Sequence, residues 1–369
     1  MKRALCIVLD SAAIGHAPDA ASHGDEGANT LGHLCERIPD LYLPNLGSLG
    51  LYELLGISKP ATINSRASWA RLTEESQGKD TTSGHWELMG CEMSEAFATF
   101  TEFSKDFVTE LQSRTGVGFI GNYASSGTEI LVQLGEEHLC SKTPILYTSA
   151  DSVLQIAAHE EVFGLEKLYE ICKVARELLD ECGIRIGRVI ARPFAGRSAA
   201  EFKRTGNRHD YSLVPGETVL NRLQAAGIQT IGVGKIADIF ADSGISKSFP
   251  TTSNQDGMDR IDEIYESGVQ EPQFIFANLV DFDSLYGHRR DPVGYAQCLQ
   301  EFDGWLGRFL PKILSTDFLL ITADHGNDPY HRGTDHTREQ VPALAIGRHI
   351  ADGSFSEVAK WLEGYFAEG

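Results

Sequence analysis

Three apolar runs, far apart in the chain, each end in acid. Arg3–Leu9 (RALCIVL) runs into Asp10-Ser11, residues 274–280 (FIFANLV) into Asp281-Phe282-Asp283, and Phe318–Thr322 (FLLIT) into Ala323-Asp324-His325-Gly326. A short continuous apolar run rich in β-branched and aromatic residues reads as a strand buried on both faces, and such strands belong to parallel sheets covered by helices. Amphipathic segments at 218–226, 256–267 and 295–310 supply the helices. The predicted fold class is therefore α/β, with a doubly wound core. In an open parallel sheet, ligands sit off the carboxyl ends of the strands. Setting these strands side by side gathers Asp10, Asp283, Asp324 and His325 in one crevice.

The middle of the chain has a different texture. An amphipathic stretch at 102–115 leads into a Gly/Ser-rich turn region at 116–127, a strand at 145–149, a long helix at 165–182, a strand at 188–191 and an Arg-rich loop reaching His209. This pattern predicts a second, α+β domain at 98–214, inserted between core segments 1–97 and 215–369. A length of 369 residues fits two domains, at about 150 residues each.

Composition narrows the partners. Lys plus Arg is 32 against 52 Asp plus Glu, a formal charge of −20. Nucleic acids and anionic membranes are bound through clustered basic residues, so neither is expected here. The apolar run at residues 4–9 follows Lys2-Arg3 but is too short for a signal peptide. No run approaches the ~20 apolar residues that cross a bilayer. Seven cysteines are scattered and never spaced C-x-x-C, which points to free thiols and a cytoplasmic location. An anionic substrate would need a local basic pocket. Arg192, Arg208, His209, Lys235, Arg289 and Arg290 are the candidates for one, since Arg forks match phosphate.

Asp10, Asp283, His288, Asp324, His325 and His336 form a mixed set of carboxylates and imidazoles. Such a set suits Mn²⁺, Zn²⁺ or Fe²⁺ better than Ca²⁺ or Mg²⁺. It exceeds the needs of one ion, and two ions about 4 Å apart make a clamp for phosphoryl transfer. A second signal is Gly78-Lys79-Asp80-Thr81-Thr82-Ser83-Gly84-His85-Trp86, a hydroxyl cluster that reads as a loop entering a helix. There it serves as a helix cap or offers a hydroxyl nucleophile beside a metal. Gly116-x-Gly118-x-x-Gly121 matches a dinucleotide fingerprint by letter only. It follows a helical segment rather than a strand.

These blocks together resemble the phosphopentomutase family of the alkaline phosphatase superfamily. The resemblance is carried by Asp10-Ser11, Lys79 to Glu87, Thr148 to Ser152, Val189 to Phe194, Asn207 to Tyr211, Asp256 to Asp259, Asp281 to Asp283, Gly287 to Pro292, Ala323 to Pro329 and Gly333 to Glu339, in order from about residue 4 to 346. It implies an alkaline-phosphatase-like core with an inserted cap, and two Mn²⁺ ions. Asp283, His288 and His336 would hold one ion. Asp10, Asp324 and His325 would hold the other, beside the nucleophile Thr81, with Thr82 and Ser83 as fallback choices. Asp151 would touch the sugar, and Arg192, Arg208 and Lys235 would grip phosphate. Glucose 1,6-bisphosphate or ribose 1,5-bisphosphate would prime the enzyme. The implied reaction interconverts the 1- and 5-phosphates of ribose and 2-deoxyribose. A metal-dependent phosphatase on the same site is the alternative, and a catalytically dead sugar-phosphate-binding protein is a third. The family usually continues further after Ile346 than this chain does, which leaves sheet-edge stability and oligomeric state open.

Overall fold

A computed structural model describes residues 1–149, 152–268 and 270–368. The chain divides into two compact units, Met1–Glu95 with Pro215–Gly369, and Ala96–Val214. The sequence reading placed the insertion at 98–214.

In chain order the strands of the first unit begin with β1 (Arg3–Leu9) and β2 (Ala67–Thr73). The second unit holds β3 (Ile120–Ala124), β4 (Ile145–Thr148), β5 (Val153–His159), β6 (Arg188–Ala195), β7 (Lys203–Arg204) and β8 (His209–Ser212). The first unit resumes with β9 (Gln229–Val233), β10 (Lys247–Phe249), β11 (Gln273–Leu279), β12 (Phe318–Thr322), β13 (Val341–Ile346) and β14 (Gly353–Ser354).

The first unit is one eight-stranded sheet in the order β10-β9-β11-β1-β12-β13-β2-β14. The central strand β1 pairs in parallel with β11 on one side and β12 on the other, and β9 pairs in parallel with β11. Every residue of β1, β11 and β12 is buried, as their largely apolar sequences require. β13 runs antiparallel to both its neighbours, so the sheet is mixed rather than all-parallel. Helices Val219–Ala225, Asn254–Glu266 and Pro292–Phe309 lie within a few residues of the segments the periodicity picked out. Because β1, β9, β11 and β12 share one direction, Asp10, Lys235, Asp281 and Asp324 all leave the sheet at the same edge.

The second unit has its own sheet, β3-β4-β5-β6-β7, with β8 on β6. Leu111, Leu154, Ile156, Leu168, Ile171, Leu178 and Val189 are part of its main core. The amphipathic stretch forms the helix Lys105–Thr115, and the long helix is Leu165–Glu181. The region expected as turn contains β3, and the helix Glu129–Ser141 and strand β5 were not anticipated. Gly116 ends the first of those helices with φ +66°, a C-cap role rather than a phosphate loop. Asp151 lies outside the described residues.

Candidate metal centre and nucleophile loop

The edge where β1, β11 and β12 end gathers the candidate ligands. Asp10 follows β1 directly, and Asp324 and His325 follow β12 by two and three residues. All three side chains are buried. After β11 the chain makes a π-helical turn, Phe282–Gly287, in which the His288 N–H donates to the Asp283 carbonyl at 3.1 Å. The wider turn brings the two side chains together, with His288 Nε2 3.1 Å from Asp283 Oδ2. A π turn of this kind is rare and often marks a functional site.

Ligand atoms of Asp10, Asp324 and His325 all lie within 4.8 Å of one another, and so do those of Asp283, His325 and His336. His288 completes the second cluster, its Nε2 also 3.1 Å from His336 Nε2. All six residues singled out from the sequence therefore converge.

The imidazoles are set up as ligands. Each donates from Nδ1 to a backbone carbonyl: His288 to Thr334 at 2.8 Å, His325 to Gly326 at 3.1 Å and His336 to Lys79 at 3.0 Å. That leaves three Nε2 lone pairs aimed inward, the arrangement by which proteins orient metal-binding histidines. The Nε2–Nε2 approach of His288 and His336 places two lone pairs face to face, which only a proton or a cation reconciles. Two buried carboxylate oxygens, Asp10 Oδ1 and Asp324 Oδ2, have no hydrogen-bond partner. Orphaned buried oxygens beside inward-facing imidazoles fit a pair of divalent cations.

Charge tells the same story. Burial, with the Asp324 and Asp283 carboxylates nearby, pushes the Asp10 carboxyl well above its ordinary range. Burial also acts on Asp283, but the His288 and His336 rings, whose Nε2 atoms lie 3.1 and 3.5 Å from Oδ2, outweigh it and hold that carboxyl low. The bond to Asp283 lifts His288 to about 9. Burial lowers His325.

The hydroxyl-bearing loop enters a helix, Thr81–Leu88, and Asp80 rather than a hydroxyl residue is its N-cap. Asp80 Oδ1 accepts from the N–H groups of Thr82 and Ser83 at 3.0 and 3.2 Å. Thr81 is thus free of capping duty, and its Oγ1 lies 3.1 Å from His325 Nε2. The Ser83 hydroxyl is turned toward Asp80 and Glu74. The helix start is drawn tight against β12, because a Cβ on Gly84 would run into the Asp324 carbonyl. Lys235, just past β9, is exposed and close enough for its charge to favour ionised Asp10.

In the second unit, Arg192 Nε donates to Gln155 Oε1 at 3.0 Å. Arg208 is exposed and forks onto the Asp210 carboxylate. Neither lies among the candidate metal ligands.

Some partners of the centre were not singled out from the sequence. Asn278 Nδ2 donates to Asp10 Oδ2 at 3.1 Å, Asn327 Nδ2 to Asp283 Oδ1 at 2.6 Å, and the Ser11 N–H to Asp324 Oδ1 at 3.1 Å. His85 stood inside a quoted motif but without a role. The available signals were an Asn inside an apolar strand and a His one helical turn after Thr81.

A model of the metalloenzyme superfamily matches residues 2–367. A curated phosphopentomutase from Symbiobacterium thermophilum is 51% identical over 356 residues, spanning 96% of this chain and 90% of that protein. The chain belongs to the phosphopentomutase family. It is accordingly an enzyme, an isomerase of the mutase kind, on an alkaline-phosphatase-like α/β core with an inserted α+β domain. The PH0037 protein from Pyrococcus horikoshii shares the fold, with a TM-score of 0.53 over 99% of this chain and 97% of that one at 13% identity. Alkaline phosphatase from the Antarctic bacterium TAB5 aligns over 98% of this chain and 97% of that one, with a TM-score of 0.39 at 10% identity.

Proposed function

We propose that this phosphopentomutase-family chain interconverts α-D-ribose 1-phosphate and D-ribose 5-phosphate, and the 2-deoxyribose phosphates, by intermolecular phosphoryl transfer in the cytoplasm. One observation carries the reading. In a chain half identical to a curated phosphopentomutase, the Thr81 hydroxyl sits at a helix start 3.1 Å from His325 Nε2, beside two clusters of metal-type ligands.

Thr81 carries the phosphoryl group between turnovers. Sugar O5 attacks phosphorus, the bond to Thr81 Oγ1 breaks, and a 1,5-bisphosphate forms. Thr81 Oγ1 then attacks the phosphorus on O1, leaving the 5-phosphate and restoring the phosphothreonine. The proton lost by the attacking hydroxyl ends on the departing oxygen, and nothing is oxidised or reduced. Asp10, Asp324 and His325 would hold one Mn²⁺ and Asp283, His288 and His336 a second. Such ions neutralise the transferring group and lower the pKa of a hydroxyl at the site. Lys235 at the same sheet edge, with Asp151, Arg192 and Arg208 of the inserted domain, would bind the sugar and its phosphates. Residues that hold the sugar phosphate also keep water from the phosphothreonine. Glucose 1,6-bisphosphate or ribose 1,5-bisphosphate would load Thr81 at the start.

The test is ³¹P NMR of the protein with Mn²⁺, a trace of glucose 1,6-bisphosphate, and ribose 1-phosphate. Growth of the ribose 5-phosphate resonance without inorganic phosphate is expected. Growth of inorganic phosphate instead would make the enzyme a phosphatase. No change in either signal would defeat the assignment of substrate.

A further inference from the structure

We propose that His85 and Asn278 act as a buried positioning link, which holds the Thr81 helix and the Asp10 and Asp324 carboxylates in one fixed arrangement. The inference rests on the metal-dependent, phosphothreonine reading above and adds two residues to it. Neither touches the substrate or transfers a phosphoryl group.

Asn278 interrupts the apolar sequence of β11 and is 1% exposed. Its register opposite Val8 of β1 sets it two residues before Asp10. The Asn278 amide nitrogen donates to Asp10 Oδ2 at 3.1 Å and to His85 Nε2 at 2.9 Å. With a metal ion held by Asp10 the carboxylate is ionised and only accepts, so the amide presents its nitrogen there, not its oxygen. His85 Nε2 must then accept, and the ring proton sits on Nδ1. At the other side of the ring, Nδ1 donates to the Thr81 carbonyl at 2.8 Å, and Asp324 Oδ2 stands 3.1 Å from the same nitrogen as a close contact rather than a hydrogen bond. Both of those groups are acceptors. The two ends of the imidazole thus dictate the same neutral tautomer independently.

The ring has no freedom to serve these partners loosely. It is fully buried and packs on Phe276, ring centroids 5.8 Å apart. One rigid plane therefore joins three elements: the helix that begins at Thr81, the end of β1 through Asn278 and Asp10, and the end of β12 through Asp324. Outer partners of this kind set the direction of a ligand's lone pairs, and losing one costs about 10- to 100-fold in metal affinity or activity. A role confined to packing would change stability alone.

The test compares the full-length parent with His85→Leu, Asn278→Leu and His85→Asn. Mn²⁺ binding is titrated by the EPR signal of free ion, thermal melts report folding, and labelling of Thr81 by ³²P-glucose 1,6-bisphosphate reports the nucleophile. His85→Leu and Asn278→Leu should weaken one of the two Mn²⁺ ions by about 10- to 100-fold. The second ion should stay near its parental affinity. The maximal labelling rate should fall, with little change in the bisphosphate concentration at half-maximal rate. His85→Asn keeps an amide N–H near the position of Nδ1 and should recover most of both losses. Should His85→Leu fail to fold, Asn278→Leu against His85→Asn carries the same comparison. Folded variants that bind both ions and label Thr81 as the parent does overturn the link while leaving the proposed reaction intact. A parent that binds no Mn²⁺ overturns the metal-dependent reading and the link with it.

Discussion

At the scale of single residues, Thr81 is distinguished from its neighbours by what its side chain does not do. Asp80 caps the helix, and Ser83 bonds back to Asp80 and Glu74. Thr81 Oγ1 alone of the three hydroxyls is bonded to a candidate metal ligand. Thr81→Ala should therefore bind Mn²⁺ as the parent does yet accept no ³²P from glucose 1,6-bisphosphate, with mutase activity down on the order of 10⁴-fold or more. Label recovered on Thr82 or Ser83 would move the nucleophile. The sequence left these three hydroxyls nearly equivalent until the family resemblance chose among them. The bond from Thr81 to His325 adds a physical reason for that choice. The ligand residues were legible because each follows a buried strand or sits in a Gly-containing loop. His85 and Asn278 were not, because a lone His on a helix and a lone Asn in a strand have no meaning until their neighbours are known.

At the scale of elements, the helix Thr81–Leu88 is short and must be held from outside. Asp80 accepts two of its free N–H groups, and the Glu87 carboxylate accepts the N–H groups of Glu75 and Ser76 at 2.9 and 2.7 Å. Trp86 Nε1 donates to the Ile239 carbonyl at 2.9 Å. Isolated helices of this length do not form in water, so these tethers and the burial of one face supply its stability. Removing a side-chain N-cap costs about 1 kcal/mol. Asp80→Ala should lower the unfolding free energy by that amount, read as a lower urea midpoint at unchanged m, and also slow Thr81 labelling, since the frayed turn is the one that carries Thr81. An unchanged labelling rate at lowered stability would separate the cap from the chemistry. The central parallel strands β1, β11 and β12 were read from continuous apolar runs, whereas β9 and β10, parallel beyond them, were not. β13 was not read as a strand, since VPALAI carries a proline that pattern rules demote. Its place is decided by antiparallel pairing to β2 and β12.

At the scale of the whole molecule, a chain of net charge −20 gathers three buried carboxylates at one sheet edge. Burial, and without cations the repulsion from Asp324 and Asp283, drive the Asp10 carboxyl toward its protonated form. Ions that bind the folded state alone stabilise it by about 2.7 kcal/mol when present at 100 times their dissociation constant. Removing metal with EDTA should therefore lower the denaturation midpoint, and adding Mn²⁺ should restore it in a concentration-dependent way. A midpoint indifferent to both treatments would mean that the clusters hold no ion. At the far edge, β14 pairs with β2, and Tyr365 of the helix Glu357–Ala367 bonds to the backbone of Arg3 and Thr316. This terminal segment ties into the first strand, on the side where the sequence suggested missing contacts.

The sequence by itself determined the α/β class, the direction of the central strands and the identity of the candidate ligands. Those properties follow from local patterns: a buried parallel strand must be apolar throughout, and a carboxylate at its end has nowhere to go but the crevice. Which ligand faces which, which tautomer each imidazole adopts, and which hydroxyl of three meets a candidate ligand depended on tertiary structure. They are set by contacts between residues far apart in the chain, such as Asp10 with Asn278 and His85 with Asp324. No local pattern encodes a distance between two strands that the fold alone brings side by side.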